Sequence, residues 1–464
     1  MSRLRLLQRL SSNSSRWRQV TLTLSKPGCL AETESIKLVD ASGMPVKSIF
    51  MTAPRDSLKA AFHKVTGIFL PAGYPETVHP HYLPFTFWNF LQSCSGSMSG
   101  VLTTQCLLYG LGLSSSSSTS VAIGGTIALA ATLNWVLKDG LGQVGGVLFV
   151  ALIGSRFDRE AKRYRFLATA MFKLAGLLEM LVPLMPKYFV LVASLANVAK
   201  NVGWMATSAT RAQIHRYLAG SHYDNLGDIT GKTASQNTFA SVLGTALGVL
   251  FSTIFVMRKK EEEILEPLEV VKRCFRIAVP LAAVGLFSSY QSCRYAVSPK
   301  LSLLRLQLIL RPLFNKKTTR GIISRLENQI PTPEALCLSE PFLLRPRSAV
   351  LFEPLISKYT DRISATVKDF ATLPYVLVAD SKTRQTAIWF RADENISTVD
   401  MFEGILASHI LNSNGEIGEA IATAKEITSP LIAALSRKGW DVSSLSLPHR
   451  RPITFINDKS LVRN

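Results

Sequence analysis

The sequence is poor in charged residues for its length. Only 18% of its 464 residues are Asp, Glu, Lys or Arg, whereas 47% are hydrophobic, and the mean hydropathy is +0.21. An ordinary soluble protein of this size carries more charge, so the composition favours a protein inserted in a membrane. Length alone excludes little, because a chain of this size holds two or three domains.

Patterns for metals, disulfides and catalysis are also missing. The six cysteines have neither CxxC spacing nor neighbouring histidines, and His79 and His81 have no third ligand near them in the sequence. No HExxH, Ser/His/Asp or Cys/His arrangement is present, and no GxGxxG stands between a predicted strand and helix. The segment 231–233 (GKT) resembles a phosphate loop, but Leu226 stands where that loop requires glycine. We predict no cofactor, no metal site and no enzymatic activity.

The net charge of +20 comes largely from the N-terminus and from short loops beside apolar runs. This distribution is typical of positive loops that flank membrane spans and argues against a nucleic-acid-binding surface. Residues 1–31 are rich in Arg and Ser and contain no acidic residue before Glu32, a composition that resembles an organelle transit peptide. A disordered basic tail is the alternative, and the pattern does not separate plastid from mitochondrion.

Several apolar runs fill the middle of the chain. They cover residues 85–113, 121–137, 144–153, 166–185, 189–208, 239–257 and 277–290. A helix needs about 20 residues to cross a bilayer, and two of the runs are shorter, so we predict a polytopic helical bundle of about six spans. The GxxxG pairs at 96–100, 142–146 and 244–248 predict close helix packing. The basic loop 154–165 is predicted to lie at the membrane surface.

The predicted organisation has five parts. They are a transit-peptide-like segment (1–31), a lead-in (32–84), a membrane domain (85–295), a juxtamembrane basic linker (296–348) and a smaller soluble α+β domain (349–464). In the last part, residues 374–380 and 385–391 have the composition of a strand pair around a polar turn, and 401–411 and 417–435 have helical spacing. The fold class is therefore mainly α.

Charged residues inside apolar runs are the candidate functional residues, because each is costly in a membrane unless paired or wetted. Glu179 and Lys200 lie in neighbouring runs and would form an ion pair if these runs fold as a hairpin about the intervening prolines. Such a pair either fixes helix register or marks a substrate or proton site.

Two further charged sets lie near predicted helix ends. Lys138 and Asp139 would either lie at a membrane interface or form a charged latch between helices with Arg156 and Asp158. Lys232 is predicted to cap or pair with Asp228 at the start of a span.

A set of motifs follows one another in a recognisable order. They are 70–75 (LPAGYP), 103–105 (TTQ) before 111–112 (LG), 135–140 (WVLKDG), 154–158 (GSRFD) with 162–165 (KRYR), Glu179 followed by Pro183 and Pro186, 196–200 (ANVAK), and 225–228 (NLGD) with Lys232. Their order and spacing resemble the root UVB sensitive family, strongly over 62–257 and loosely in the C-terminal part. Arg163-Tyr164-Arg165 departs from that family's usual tryptophan before the arginine, and Gly231 replaces a commoner alanine.

The resemblance implies more about biology than about chemistry. The family has no established biochemical activity, and its plant members are associated with root responses to ultraviolet-B, seedling development, auxin transport and vitamin B6 balance. Some are plastid proteins that act with a second family member. Carried over by motif, the positions of interest are Lys138, Asp139, Asp158, Lys162, Arg165, Glu179, Lys200, Asn225, Asp228 and Lys232.

Two functions follow from the sequence. The first is an organelle-membrane protein with a non-catalytic role, whose partners are the bilayer and another copy or family member. The second is a secondary carrier of an unknown small molecule. The loop 154–165 looks like the charged loop between the second and third helices of major facilitator carriers, and six spans would be half of such a carrier, which implies a dimer. An enzyme acting on pyridoxal phosphate through the C-terminal domain is disfavoured, because no lysine accompanies a glycine-rich phosphate loop there.

Overall fold

The protein is described here by a computed structural model. It describes residues 19–20, 35–39, 45–50, 67–111, 121–153, 157, 160–219, 225–256, 266–314, 322–343, 346, 348–355, 358–359, 363, 373–380, 385–391, 396–414 and 416–447. The chain divides into two units, Met1–Leu70 and Pro71–Asn464. The predicted transit-peptide-like segment lies outside the described residues apart from 19–20.

The first unit contains a small antiparallel sheet. Its strands are β1 (Gln19–Val20), β2 (Ser35–Val39) and β3 (Pro45–Phe50), in the order β1-β2-β3. A register shift between Leu38 and Val39 interrupts the pairing of β2 with β3. The predicted lead-in 32–84 therefore includes strands as well as loop.

Long helices make up most of the second unit. The described residues include α1 (Tyr82–Gly110), α2 (Val121–Ile153), α3 (Ala161–Glu179), α4 (Phe189–Leu218), α5 (Leu226–Phe251) and α6 (Pro267–Tyr295). They lie side by side in the spatial order α2-α4-α3-α6-α1-α5, and each packs chiefly against the next. Helices α2 and α5 are therefore the outer members, and α3 and α6 lie near the centre.

Among the residues that the structure describes, three segments of this bundle are long and apolar enough to cross a membrane by length and composition. They are Ala161–Leu184, Pro186–Leu218 and Leu226–Phe255, where the α-helix is extended by a 3-10 stretch in the first two and by a π-helical stretch in the third. The protein is mainly helical, as predicted. The count of about six spans stays a prediction for α1, α2 and α6.

The runs 121–137 and 144–153 form one helix of 33 residues rather than two segments, so the sequence prediction is wrong here. The glycines that separate the runs lie against α4. A Cβ atom added at Gly145 would lie 2.7 Å from the side chain of Val198, so the missing side chain permits close helix packing instead of ending the helix. Lys138 and Asp139 consequently lie near the middle of α2 and not at a helix end.

The other predicted glycine pairs behave differently from each other. A Cβ atom at Gly244 of α5 would collide with the backbone carbonyl oxygen of Cys94 in α1, which confirms the predicted close approach. A Cβ atom at Gly96 or Gly100 of α1 would meet nothing within 4 Å. The prediction is wrong for this second pair, whose glycines leave open space beside the helix.

The C-terminal part is α+β, as predicted. It contains β4 (Lys300–Ser302), α7 (Leu303–Phe314), α8 (Ile322–Gln329), α9 (Pro333–Ser339), β5 (Val350–Phe352), β6 (Tyr375–Asp380), β7 (Gln385–Phe390), α10 (Thr398–Asn414), α11 (Ile417–Arg437) and β8 (Asp441–Ser446). Strands β6 and β7 are antiparallel neighbours and β5 pairs parallel to β7, in the order β5-β7-β6. The predicted strand pair and both predicted helices are confirmed.

One hydrophobic core holds this part together. Trp389, Tyr375 and Phe402 are fully buried in it, and Leu306 and Ile309 of α7 enter the same core. Each large apolar side chain buried in this way contributes about 1.5–3 kcal/mol relative to exposure. Part of the predicted linker 296–348 therefore packs into the C-terminal core.

Candidate functional site

The turn between α3 and α4 brings two predicted charges together. Short 3-10 turns at Val182–Leu184 and Pro186–Tyr188 reverse the chain, because each proline fixes the backbone and removes a helical donor. The ammonium of Lys200 then donates to the carboxylate of Glu179, whose side chain is 1% exposed. The predicted hairpin and its ion pair are present.

The second predicted pair connects α2 to α4. Lys138 Nζ lies 2.6 Å from Asp139 Oδ1, and Asn197 Nδ2 donates to that same oxygen at 3.1 Å and to the Lys138 carbonyl at 3.2 Å. The Lys138 ammonium also lies 4.7 Å from the centre of the Trp135 ring. The other members of the predicted latch, Arg156 and Asp158, lie outside the described residues.

One face of α3 carries a line of polar side chains into the bundle. Lys162, Arg165, Thr169 and Lys173 are spaced three or four residues apart, so they stack along one side of the helix, and all four are buried. The hydroxyl of Thr169 lies 3.0 Å from Gln92 Nε2 of α1 and 3.0 Å from Ser289 Oγ of α6. We refer to this line of residues 162, 165, 169 and 173 as the polar seam.

Arg165 has fewer partners than its charge requires. Its Nη2 donates to Asn89 Oδ1 at 2.7 Å, and its guanidinium lies 5.5 Å from the centre of the Phe85 ring. Its Nε and Nη1 atoms are buried without a hydrogen-bond partner among the described residues. A buried donor left unpaired is costly, so Arg165 can accommodate a further hydrogen-bond acceptor.

Lys173 is a functional candidate that the sequence prediction missed. Its side chain is 6% exposed, and its ammonium donates to Ser95 Oγ at 3.0 Å, while Ser95 donates onward to the Leu281 carbonyl. The signal in the sequence was the same as for Glu179, namely a charged residue inside the apolar run 166–185.

Lys173 lines a cleft halfway along the bundle. Small and polar residues of α1 and α3 form much of its wall, with α4 and α6 completing it: Gly96, Ser99, Gly100, Thr103, Phe172, Lys173, Gly176, Leu177, Met180, Lys200, Ala278 and Ala282. We call this the central cleft. Of the two lysines in the lining, Lys200 is paired with Glu179 and Lys173 contacts only a hydroxyl, so Lys173 is the group there that suits an anionic or hydrogen-bond-accepting ligand.

The other end of the seam meets the C-terminal part of the chain. Lys162 Nζ lies 2.9 Å from Glu340 Oε2, and Arg305 binds both carboxylate oxygens of Glu340, at 2.9 and 3.2 Å. Burial alone would raise the pKa of Glu340, but Arg305 and Lys162 lower the pKa to about 2. Glu340 was not among the predicted residues.

Three remaining predicted residues lie at the start of α5. Asp228 Oδ2 accepts a hydrogen bond from the Ala72 backbone N–H at 2.7 Å, and Asn225 Nδ2 approaches the Thr77 carbonyl at 3.4 Å. They therefore hold the segment that follows Leu70 against the first turn of α5. Lys232 lies one turn further along this helix, and its predicted pairing with Asp228 stays a prediction.

The predicted histidine pair lies where α1 begins. His79 Nε2 lies 3.5 Å from Glu334 Oε1, and Cys337 Sγ lies 3.8 Å from His81 Nδ1. Burial, together with the charge of His79, lowers the pKa of His81 below its usual value. Both histidines thus contact α9.

Comparison with known proteins gives one family model and several relatives. A model described as a vitamin B6 photo-protection and homoeostasis domain matches residues 55–317. The chain is similar to root UVB sensitive 3 of Arabidopsis thaliana, with 32% identity over 232 residues and 50% coverage of each chain. It is also similar to root UVB sensitive 2, chloroplastic, of the same plant, with 38% identity over 187 residues and 40% coverage of each chain.

A longer match is to root UVB sensitive 5 of Arabidopsis thaliana, with 26% identity over 406 residues, covering 83% of this chain and 76% of the relative. The matches to root UVB sensitive 3, 6 and 4 span about half or less of those proteins, at 50%, 39% and 42% of their lengths. No solved structure matches the chain.

Proposed function

Because this chain belongs to the root UVB sensitive family, we propose that it is an organelle-membrane protein that serves vitamin B6 homoeostasis without catalysing a reaction itself. The family model carries vitamin B6 photo-protection and homoeostasis in its description and covers the segment that contains helices α1 to α6. A plastid or a mitochondrion is the proposed location. The Arg-rich and Ser-rich N-terminus supports both, and the relative named chloroplastic supports the plastid.

Membrane insertion is supported by what the helices present outward. The outer helix α2 exposes large apolar side chains along much of its length, including Leu133, Val144 and Leu152. Leu191 and Trp204 of α4 and Val242 of α5 are exposed in the same way. Apolar surface of this extent is costly in water and favourable in lipid.

Within that membrane role, the geometry favours a carrier of a small molecule over a purely structural protein. The observation that carries this proposal is the central cleft, which places hydroxyls, small residues and a buried ammonium about halfway along the helices that enclose it. Secondary carriers bind their substrates near the middle of the bilayer between helices. The Glu179–Lys200 ion pair fixes the α3–α4 hairpin beside the cleft.

The assembly proposed for this carrier is a dimer. Six helices would be half the number in a major facilitator carrier, so a second copy or another family member would complete the pathway. The exposed apolar faces of α2 and α5 at the two ends of the helix order give such a partner, or the lipid, a surface to cover.

Transport by the full chain in proteoliposomes tests the proposal. Labelled pyridoxine, pyridoxal and their phosphates would be supplied outside the vesicles, and uptake would be compared with that of empty vesicles. A Gly96→Leu variant should reduce uptake at least about tenfold, because Gly96 lines the central cleft and an added side chain there would meet nothing within 4 Å that keeps it out of the cleft. Gly231→Leu is the matched control, since Gly231 is also a helical glycine with nothing within 4 Å but lies on an exposed part of α5.

Two results would contradict the proposal. Release of the folded protein from organelle membranes by alkaline carbonate would contradict membrane insertion. Intact reconstituted protein that moves none of these vitamers would contradict the carrier role and favour a non-transport role for the family member.

A further inference from the structure

We infer that the central cleft binds an anionic group at Lys173, so that the substrate class of the proposed carrier is a small organic anion such as a phosphate monoester. This inference rests on the proposed function and names the chemistry of the same site. Its basis is a difference among the buried lysines of the bundle in whether a carboxylate lies beside the ammonium.

Lys173 differs from the other buried lysines in its partners. Lys138, Lys162 and Lys173 are the lysines that are buried among the residues the structure describes. Lys138 contacts Asp139 and Lys162 contacts Glu340, whereas Lys173 contacts the neutral hydroxyl of Ser95. A buried ammonium without a carboxylate is costly to keep, and an ionisable side chain inside a membrane bundle is a candidate functional residue.

The surroundings of Lys173 favour an anion over a cation. Among the residues that the structure describes, no Asp or Glu lines the central cleft, and the carboxylate that reaches its lining residue Lys200, that of Glu179, is already paired with it. Ser99 and Thr103 line the cleft with hydroxyls that now donate to carbonyls of their own helix at 2.8 and 3.0 Å. Hydroxyls of this kind rotate, so they can donate to a ligand oxygen next to the ammonium.

Space for the ligand comes from glycine. Gly96 and Gly100 have no atom within 4 Å of an added Cβ, and Gly176 has Thr103 Oγ1 at 3.5 Å. The α1 part of the lining therefore has open space beside it where a close-packed helix pair would be filled. The cavity is small, about 30 Å³, so it would enclose at most the anionic group itself and not a whole organic ligand.

A second cation without a carboxylate lies along the polar seam. Arg165 is two turns from Lys173 on the same face of α3, about 12 Å away at 1.5 Å per residue. Its Nε and Nη1 have no partner among the described residues, and Thr169 lies between the two cations. Arg165 thus provides a second binding position for an anion, between the central cleft and the end of the polar seam at Lys162.

The decisive comparison uses two molecules that differ only by a phosphate. The full chain, reconstituted in phosphatidylcholine vesicles without anionic lipid, would be titrated with pyridoxine 5′-phosphate and with pyridoxine, and binding would be measured by calorimetry. We expect the phosphate to bind at least about tenfold more tightly. In a Lys173→Gln variant this preference should fall to within about twofold, and Lys173→Arg should keep most of it. Lys187→Gln is the control, because Lys187 is an exposed lysine in the α3–α4 turn.

The stability of the unliganded protein gives a second readout. Lys173→Gln should raise the unfolding temperature in the absence of anion, because it removes an uncompensated buried charge, whereas loss of a lysine with only a structural role would lower it. If Lys173→Gln does not fold, Thr103→Val tests the same cleft without changing its charge and should weaken phosphate binding at least about threefold.

The outcomes separate this inference from the proposed function. Equal affinities for pyridoxine and its phosphate, unchanged in Lys173→Gln, would overturn the inference while leaving the carrier in place. Lys173-dependent binding of inorganic phosphate without any vitamer transport would uphold the inference and overturn the vitamer role. Lys173-dependent stabilisation by phosphatidylglycerol but not by pyridoxine 5′-phosphate would assign the cleft to a lipid headgroup and overturn the soluble substrate.

Discussion

Replacing Glu340 by Gln removes the carboxylate that lies between Lys162 and Arg305, where the helix bundle meets the C-terminal part of the chain. The side chains of Lys162, Glu340 and Arg305 are 5%, 7% and 11% exposed, so the variant leaves two cations close together with little water to screen them. Removing one partner of a buried ion pair costs about 3–5 kcal/mol. We expect the free energy of unfolding of E340Q to fall by that amount at pH 7.

The pKa of Glu340 gives an independent magnitude. It lies at about 2, compared with 4.5 for an ordinary glutamate, and at 1.36 kcal/mol per pKa unit this corresponds to about 3 kcal/mol in favour of the charged folded form. Because the folded-state pKa is lowered, this stabilisation is complete above pH 4.5 and is lost as the pH falls towards 2. The stability of the wild type should therefore approach that of E340Q in acid.

Guanidinium unfolding of the full chain in nonionic detergent, followed by tryptophan fluorescence between pH 7 and pH 2.5, measures both effects. Glu327→Gln is the matched control. Glu327 forms an ion pair with Arg437, and the two side chains are 60% and 64% exposed. Exposed pairs contribute about 0–1 kcal/mol, so E327Q should be nearly neutral. Equal losses for E340Q and E327Q at pH 7 would refute the reasoning, and so would a difference between wild type and E340Q that persists unchanged into acid.

Three further predictions concern single sites. Lys200→Met should cost about 3–5 kcal/mol because it leaves the buried carboxylate of Glu179 unpaired, and adding Glu179→Gln should restore part of the loss in a denaturation assay. Gly244→Leu should cost about 1–3 kcal/mol because it drives α5 into the α1 backbone at Cys94, and Gly231→Leu controls for the substitution itself. Burial lowers the pKa of His409 to about 4 from 6.5. The free energy of unfolding should therefore keep its full value above pH 6.5 and fall as the pH drops towards 4, because the unfolded chain binds the proton more tightly. His409→Gln should remove that acid sensitivity.

Local patterns predicted the elements that depend on neighbours in sequence. The strands β6 and β7 are rich in Val, Ile and aromatic residues and flank a polar turn, and their pairing follows from that arrangement alone. The Glu179–Lys200 pair was predictable for a similar reason. A hairpin about the two prolines packs the runs 166–185 and 189–208 side by side, so a charge in one run can meet a charge in the other. The depth did not follow from the spacing, because Glu179 ends α3 whereas Lys200 lies about three turns into α4.

Helix α2 is a case in which the neighbouring residues in the sequence predict a helix end that the structure does not have. Lys138, Asp139 and the glycines after them have the composition of a helix end at a membrane surface, yet the helix continues through them. Asn197 of α4 supplies the hydrogen bonds that Asp139 needs, and Val198 fills the space beside Gly145. The partner helix decides the outcome, and it lies about 55 residues away in the sequence.

The candidate site depended even more on distant contacts. Arg165 and Lys162 were identified through motif resemblance. The sequence does not show that Lys162 has a carboxylate partner and that Arg165 has none among the described residues. The carboxylate that binds Lys162 is that of Glu340, which lies in a different part of the chain, and the Cys337 carbonyl accepts from the same ammonium. The absence of an equivalent partner for Lys173 among the described residues becomes visible only when the helices around it are placed.

The position of Glu340 has a practical consequence for how the protein is divided. The family match ends at residue 317, so it includes Lys162 and Arg305 but excludes the counter-ion that binds both. A fragment that ends at residue 317 would retain the positive side chains of Lys162 and Arg305 near the N-terminal end of α3 without the carboxylate that separates them. Expression trials should therefore extend the C-terminus beyond α9, and the shorter fragment should be the one that aggregates.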